Sequence, residues 1–260
     1  MKLGIIAPSH DRDGVKFVAD LGLKYAEFDI NAPDYGYVDF NEVASALEEF
    51  GVKMGAIGRW GTERILESGE VNEEEFKKEC FLVDFCRRVG CPVYMTGINY
   101  VESRTRFENL CSAVEYLRRL RDYCGSDVKL CTYNCHWNNY IDKPEEWEIV
   151  NKHLGIGIKY DPSHSINGGR DYMREAVEYG GMAYHIHLKG TMNIGDGRID
   201  DPPAGLDMIN WGMLLSVFAK HGYDGMLSIE PHSETWQGEL GRKGVLYTID
   251  YFRRMPFITE

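Results

Sequence analysis

The stretch "YHIHLKG" (residues 184–190) alternates basic and apolar side chains over a segment too short to make a helix. Side chains two apart in a β-strand point the same way. His185, His187 and Lys189 therefore share one face, while Ile186 and Leu188 take the other. Three basic groups turned into a dry interior are costly unless a complementary group waits there. Working outward, the strand (182–189) is followed by a helical pattern, MINWGMLLSVFAKHG (208–222), and then by a second apolar strand, MLSIEP (226–231). A strand, a crossover helix and another strand form the repeating unit of a parallel sheet.

The same unit recurs along the whole chain. Strand-like LGIIA (3–7), YAEFDI (25–30), VKMGAI (52–57), PVYMTG (92–97), VKLCTYN (128–134) and GIGIKYD (155–161) alternate with helical patterns at 14–23, 40–51, 72–90, 105–125, 144–154 and 170–180. A last helix covers 237–254. Eight strands and eight helices, with no linker or shift of composition, predict one α/β domain over 1–260, a (β/α)8 TIM barrel of ordinary size. A doubly wound open sheet is the weaker alternative. It usually has fewer strands, and no G-x-G-x-x-G follows the first strand here.

Hydrophobic residues make up 43% of the 260 and charged residues 27%, which argues against disorder. Lys plus Arg number 29 against 41 acids, a net charge of −12 with no dense basic run, so nucleic acid is not the expected partner. The seven cysteines include no C-x-x-C pair and read as reduced thiols of a cytoplasmic protein. The opening MKLGIIAPSH is too short an apolar run for a signal peptide. No stretch approaches the roughly 18 apolar residues of a membrane span.

Barrel active sites lie at the C-terminal ends of the strands. Six of the eight histidines fall there: His10, His136, His164, His185, His187 and His232. His153 and His221 close helices instead, where positive charge suits the helix dipole. Acids gather at the same rim, with Glu27 and Asp29 on the second strand, Asp161 ending the sixth and Glu230 the eighth. A lone rim carboxylate is more often a cap or a surface charge. Asp161, His187 and Glu230 together form a carboxylate and imidazole set suited to a divalent cation. Two long connections, 58–71 and 190–207, read as lids. Trp60 and Trp137 offer apolar floors for a sugar ring. Arg59, Arg64 and Arg198 are the candidate phosphate contacts, but no glycine-rich phosphate loop accompanies them, which favours an unphosphorylated sugar, polyol or keto-sugar derivative.

"YDPSHS" (160–165), "HIHLKG" (185–190) and "DMINWGMLLSVFAKHGYDGMLSIEPH" (207–232) resemble motifs of the xylose isomerase-like sugar isomerase and epimerase barrels, a family with inosose dehydratase-like and endonuclease IV-like relatives. The resemblance covers nearly the whole chain, with its specific motifs in the second half. It implies a divalent ion (Mn, Mg, Co or Zn) on Asp161, His187 and Glu230, with His164 touching metal-bound water or substrate and Lys189 a substrate oxygen. His185 would lie one layer deeper, paired with an acid such as Glu27, and buried Lys159 would also need an acidic partner. His10, Glu27, Trp60, Trp137 and His185 make up the expected substrate-binding group.

One feature departs from the family pattern. The family's strand-5 Glu is missing from "CTYNCHWNNY" (131–140), where one alignment puts Asn134 at the ligand position and another puts Asn139. An amide oxygen can ligate but cannot act as a base. Glu230 becomes the expected main base, with His136 or His164 for the second proton, so the catalytic set is Glu230, His136, His164 and Lys189. The resemblance implies a metal-dependent isomerase or epimerase working through an enediolate. The same intermediate serves an inosose dehydratase-like lyase, and a barrel without the strand-5 Glu also suits a non-catalytic sugar binder. A DNA-cleaving relative fits the acidic charge poorly. A sugar is the expected small-molecule partner, and apolar rim and helix faces leave room for a homo-oligomer.

Overall fold

Eight parallel strands close on themselves in the computed structural model, which describes residues 1–194 and 197–259. In chain order they are β1 (Lys2–Ile6), β2 (Tyr25–Asn31), β3 (Lys53–Trp60), β4 (Val93–Thr96), β5 (Lys129–Tyr133), β6 (Gly157–Tyr160), β7 (Ala183–Leu188) and, after a small antiparallel hairpin of β8 (Met192–Ile194) and β9 (Gly197–Asp200), β10 (Met226–Ile229). Each barrel strand pairs with the next in sequence, and β10 returns to β1 with Ile229 opposite Ile5. The predicted (β/α)8 barrel is the observed fold.

Local chemistry sets the helix boundaries. Asp39 accepts hydrogen bonds from the main-chain N–H groups of Asn41 and Glu42 and starts the helix Phe40–Phe50, which Gly51 closes at φ 66°. Thr105 and Glu108 form a reciprocal capping box at the start of Arg106–Cys124. Glu73–Val89 carries three acids in its first turn and Arg87 and Arg88 in its last, matching the helix dipole.

Strand alternation divides the interior in two. Phe28, Ile57, Tyr94, Leu130, Ile158, Ile186 and Leu227 point outward and pack with helix residues such as Leu82, Leu117 and Leu214 in the main core. The opposite strand faces line the barrel. A small apolar cluster of Ala56, Val93, Met95 and Cys131 fills part of that space, and polar side chains occupy the rest.

Three connections differ from the sequence reading. The segment 144–154 is helical as expected but contains a π turn, Trp147–Asn151, and buried Asn151 there donates to Thr132 Oγ1 (2.8 Å) and the Gly157 carbonyl (2.7 Å). A short helix, Pro162–Asn167, precedes the expected one, which begins at Tyr172. The 190–207 connection holds the β8–β9 hairpin, and residues 195 and 196 of that expected lid lie outside the described residues.

The connection after β3 is pinned from within by buried arginines. Arg64 is wholly buried, donates from Nε to Glu79 Oε1 at 2.8 Å, and also holds the Thr62 carbonyl. Arg59 bonds the Asn31 carbonyl and Glu75 Oε2. Both guanidiniums brace the barrel wall, so the sequence expectation of a phosphate contact is corrected for each. No helix among the described residues is long and apolar enough to cross a membrane, and all seven cysteines are free.

Candidate active site

The inward faces of β2, β6, β7 and β10 bring nine ionisable side chains' worth of chemistry to the barrel mouth, and its centre is a carboxylate shared by two imidazoles. Glu27 accepts from His185 Nε2 through Oε2 and from His187 Nε2 through Oε1, both at 2.7 Å. The other nitrogen of His187, Nδ1, lies 2.6 Å from Glu230 Oε2. Glu230 Oε1 is 3.4 Å from Lys189 Nζ. Asp161 Oδ2 has His164 Nε2 at 3.3 Å, Lys159 Nζ at 3.8 Å and Lys189 Nζ at 3.9 Å. The three basic groups of "YHIHLKG" thus face acids from three other strands.

Burial opposes ionisation of every group here, and the neighbours decide which ones keep a charge. At Glu27 burial is overcome by His185 and His187, which hold the carboxyl well below its usual range. Burial is likewise overcome at Glu230, by Lys189 and by His187. His187 is desolvated too, yet Glu27 and Glu230 raise it to about 9. For Lys189 the same contest ends above the ordinary lysine value, because Glu230 and Asp161 outweigh desolvation. Burial wins at His164, pushed down to about 3, and at Asp29, pushed well above the carboxylate range with Glu27 adding to the effect. Three carboxylates (Glu27, Asp161, Glu230) therefore stand against three cations (Lys159, Lys189, His187).

Asp161, His187 and Glu230 each offer a ligand atom, and these atoms lie within 4.8 Å of one another. Asp161 Oδ2 is buried and accepts no hydrogen bond, while Oδ1 is engaged by Ser163 N–H at 2.9 Å. Two carboxylates and an imidazole from three strands, one with an oxygen left over, fit a divalent cation that keeps open positions. Glu27, His185 and His187 form a second group of the same span, but both Glu27 oxygens there are taken by the two rings, whereas the first group keeps the unbonded Asp161 Oδ2 beside its one internal hydrogen bond, His187 Nδ1 to Glu230.

The two amides read as alternatives for the strand-5 ligand, Asn134 and Asn139, are both held by backbone. Asn134 clamps the main chain of Asp161, donating to its carbonyl at 2.8 Å and accepting from its N–H at 3.0 Å. Asn139 accepts from Ile98 and Ile141 N–H and donates to the Tyr133 and Cys135 carbonyls. Both amides are engaged at both ends by backbone.

His136 is also displaced from its expected place. Its side chain is 84% exposed, pairs with Asp142 at 3.0 Å, and lines a groove of about 430 Å³ with Tyr100, Arg106 and Lys143, apart from the inner cluster. Trp60 is only 6% exposed and stacks on Tyr133 with ring centroids 3.7 Å apart, a wall residue rather than an open floor. Trp137 is 55% exposed and lies across Gly61 at the rim. The His10 ring packs on Phe28 at 5.1 Å near the end of β2. His232 pairs with buried Asp201, which also holds Arg198.

Two residues at the mouth escaped the sequence reading. Cys135 follows β5 and feels the charges of Lys159, Lys189 and Glu230, while burial raises its thiol. Asp201 sits beside Glu230 and His232 in a lining shared with Leu188. No spacing signal marked either, since a lone Cys and a loop Asp have many structural uses.

A closed eight-stranded barrel with acids and imidazoles gathered at the strand ends is the architecture of the (β/α)8 site proteins. The chain belongs to the xylose isomerase-like TIM barrel family, whose model matches residues 15–255. No curated protein matches its sequence. Among solved structures it is similar to D-psicose 3-epimerase with D-tagatose from Clostridium cellulolyticum H10, at 16% identity and TM-score 0.75 over 97% of this chain and 98% of that one. It is similar to the IOLI protein with a bound zinc atom, at 16% identity and TM-score 0.73 over 98% and 100%. A xylose isomerase-like TIM barrel protein from Mycobacterium smegmatis in complex with magnesium gives 17% identity and TM-score 0.71 over 95% and 92%. At such identities the likeness is one of fold.

Proposed function

We propose that this single-barrel chain, 1–260, is a divalent-metal-dependent isomerase or epimerase of an unphosphorylated keto-sugar or polyol derivative. The observation that carries the reading is the convergence of Asp161, His187 and Glu230 beside Lys189, with Asp161 Oδ2 unbonded. These three side chains would hold the ion, which when bound supplies Lewis-acid stabilisation for negative charge on adjacent substrate oxygens. Glu230, kept ionised by Lys189 and His187, takes the proton from the hydroxyl-bearing carbon next to the carbonyl. Lys189 orients a substrate oxygen, and neutral His164, 3.3 Å from Asp161, stands where its ring would relay the second proton from solvent, accepting at one nitrogen as it donates at the other. Trp137, half-exposed beside Gly61 at the rim, would offer its ring face to the sugar. A relative of the same fold crystallised with D-tagatose supports a ketose ligand.

A dehydratase reading draws on one observation, the amide Asn134 where the family's second acid is expected. It shares the first proton abstraction and differs in losing a hydroxyl afterwards. The free cysteines and the net charge of −12 suit a cytoplasmic enzyme of small molecules. The deciding experiment is elemental analysis of protein purified without chelator, followed by a ketohexose screen starting with D-tagatose. About one equivalent of metal and C–H exchange with solvent deuterium are expected. A protein that takes up no metal and exchanges no proton would end this reading.

A further inference from the structure

The pairing of Glu27 with two histidines goes beyond a deep ion pair, because its two oxygens do different things. Oε2 is held by His185 Nε2, on the same strand face as His187 and two residues before it. Oε1 is thereby aimed at His187 Nε2. All three side chains are fully buried, so neither carboxylate oxygen has water as an alternative partner. An ionised carboxylate only accepts hydrogen bonds, which requires a proton on His187 Nε2. The ring's other nitrogen, Nδ1, meets Glu230 Oε2 at 2.6 Å within the group that includes Asp161, so a cation seated there would replace the hydrogen bond between them.

We propose that Glu27 is the positioning residue of the site: braced by His185, it fixes His187 with Nε2 protonated and presents Nδ1 alone to a cation shared with Asp161 and Glu230. His185 is then a strut and not a ligand. The same carboxylate hydrogen bond increases the electron-donating power of the ring and locks its orientation. This inference rests on the metal-dependent reading above.

The test uses the full chain labelled with ¹⁵N-histidine and loaded with ¹¹³Cd²⁺, and titrations with Mn²⁺ and Zn²⁺ of wild type and Glu27→Gln. A one-bond ¹¹³Cd–¹⁵N coupling is expected at Nδ1 of His187 and at neither nitrogen of His185. Glu27→Gln should bind Mn²⁺ and Zn²⁺ about 10- to 100-fold more weakly. Coupling through Nε2 of His187, or to His185, would overturn the assignment in the wild type alone, whether or not the variant folds. A folded Glu27→Gln with unchanged affinity would also overturn it while leaving the metal site standing. No binding of any of the three metals by wild type would remove the metal-dependent reading and this inference together.

Discussion

Asn134 grips Asp161 by its backbone, with a hydrogen bond each way between one side-chain amide and one peptide unit. The residue standing near the family's strand-5 acid thus works on the strand-6 acid, setting the position of its main chain. Replacing Asn134 with Glu restores a carboxylate but breaks both bonds. The expected result is a loss of about 1–3 kcal/mol of stability and no gain in metal affinity. Denaturant melts and metal titration of Asn134→Glu check both halves. Tighter metal binding would mean that the position is a ligand site after all.

Asp161→Ala should abolish metal uptake and leave Lys159 and Lys189 without the carboxylate they share. Removing one partner of a buried charge set costs about 3–5 kcal/mol. Elemental analysis and a chemical melt read the two effects separately. Asp161→Asn keeps an oxygen for the Ser163 N–H and should recover part of the stability without the metal.

Glu230→Gln keeps the shape of the site and removes the proposed base. Proton exchange on a ketose substrate should fall roughly 10²- to 10⁴-fold. Solvent-deuterium incorporation followed by NMR is the measurement, and full activity in the variant would refute the role.

His136→Ala should leave metal stoichiometry unchanged and turnover within about twofold, because the ring is exposed and paired with Asp142 away from the inner cluster. A collapse of turnover with intact metal binding would restore the catalytic role expected from sequence.

Glu79→Ala strands the buried Arg64 guanidinium and should cost about 3–5 kcal/mol. Limited proteolysis of the 61–72 connection, compared with wild type, would register the lost brace.

The barrel was legible because a period of two survives in each strand and a helix follows nearly every one, a pattern that needs no knowledge of partners. The inward face of 184–190 was legible for the same reason, and it placed His185, His187 and Lys189 on one side. Partner choice was the harder part. Arg59 and Arg64 looked available for phosphate because sequence shows a charge but not its burial, and their acids Glu75 and Glu79 lie on a helix more than ten residues away. Asn134 and Asn139 looked like ligand replacements because spacing along a loop carries no information on which backbone groups the amide will meet. The double engagement of Glu27 was only half legible: the family resemblance implied an acid such as Glu27 beside His185, but the register between β2 and β7 across the barrel leaves no trace in a local pattern.

The even count of opposite charges at the mouth has an evolutionary consequence. No member of the set can be exchanged for a neutral residue without stranding a buried partner, so single steps through sequence space are penalised while paired steps are not. Among descendants of this barrel, Glu27 should change together with His187, and Lys159 together with Asp161. Such correlated replacement would map the interior from alignments alone, and it would mark lineages that have dismantled the charged mouth as those in which both members of a pair vanished together.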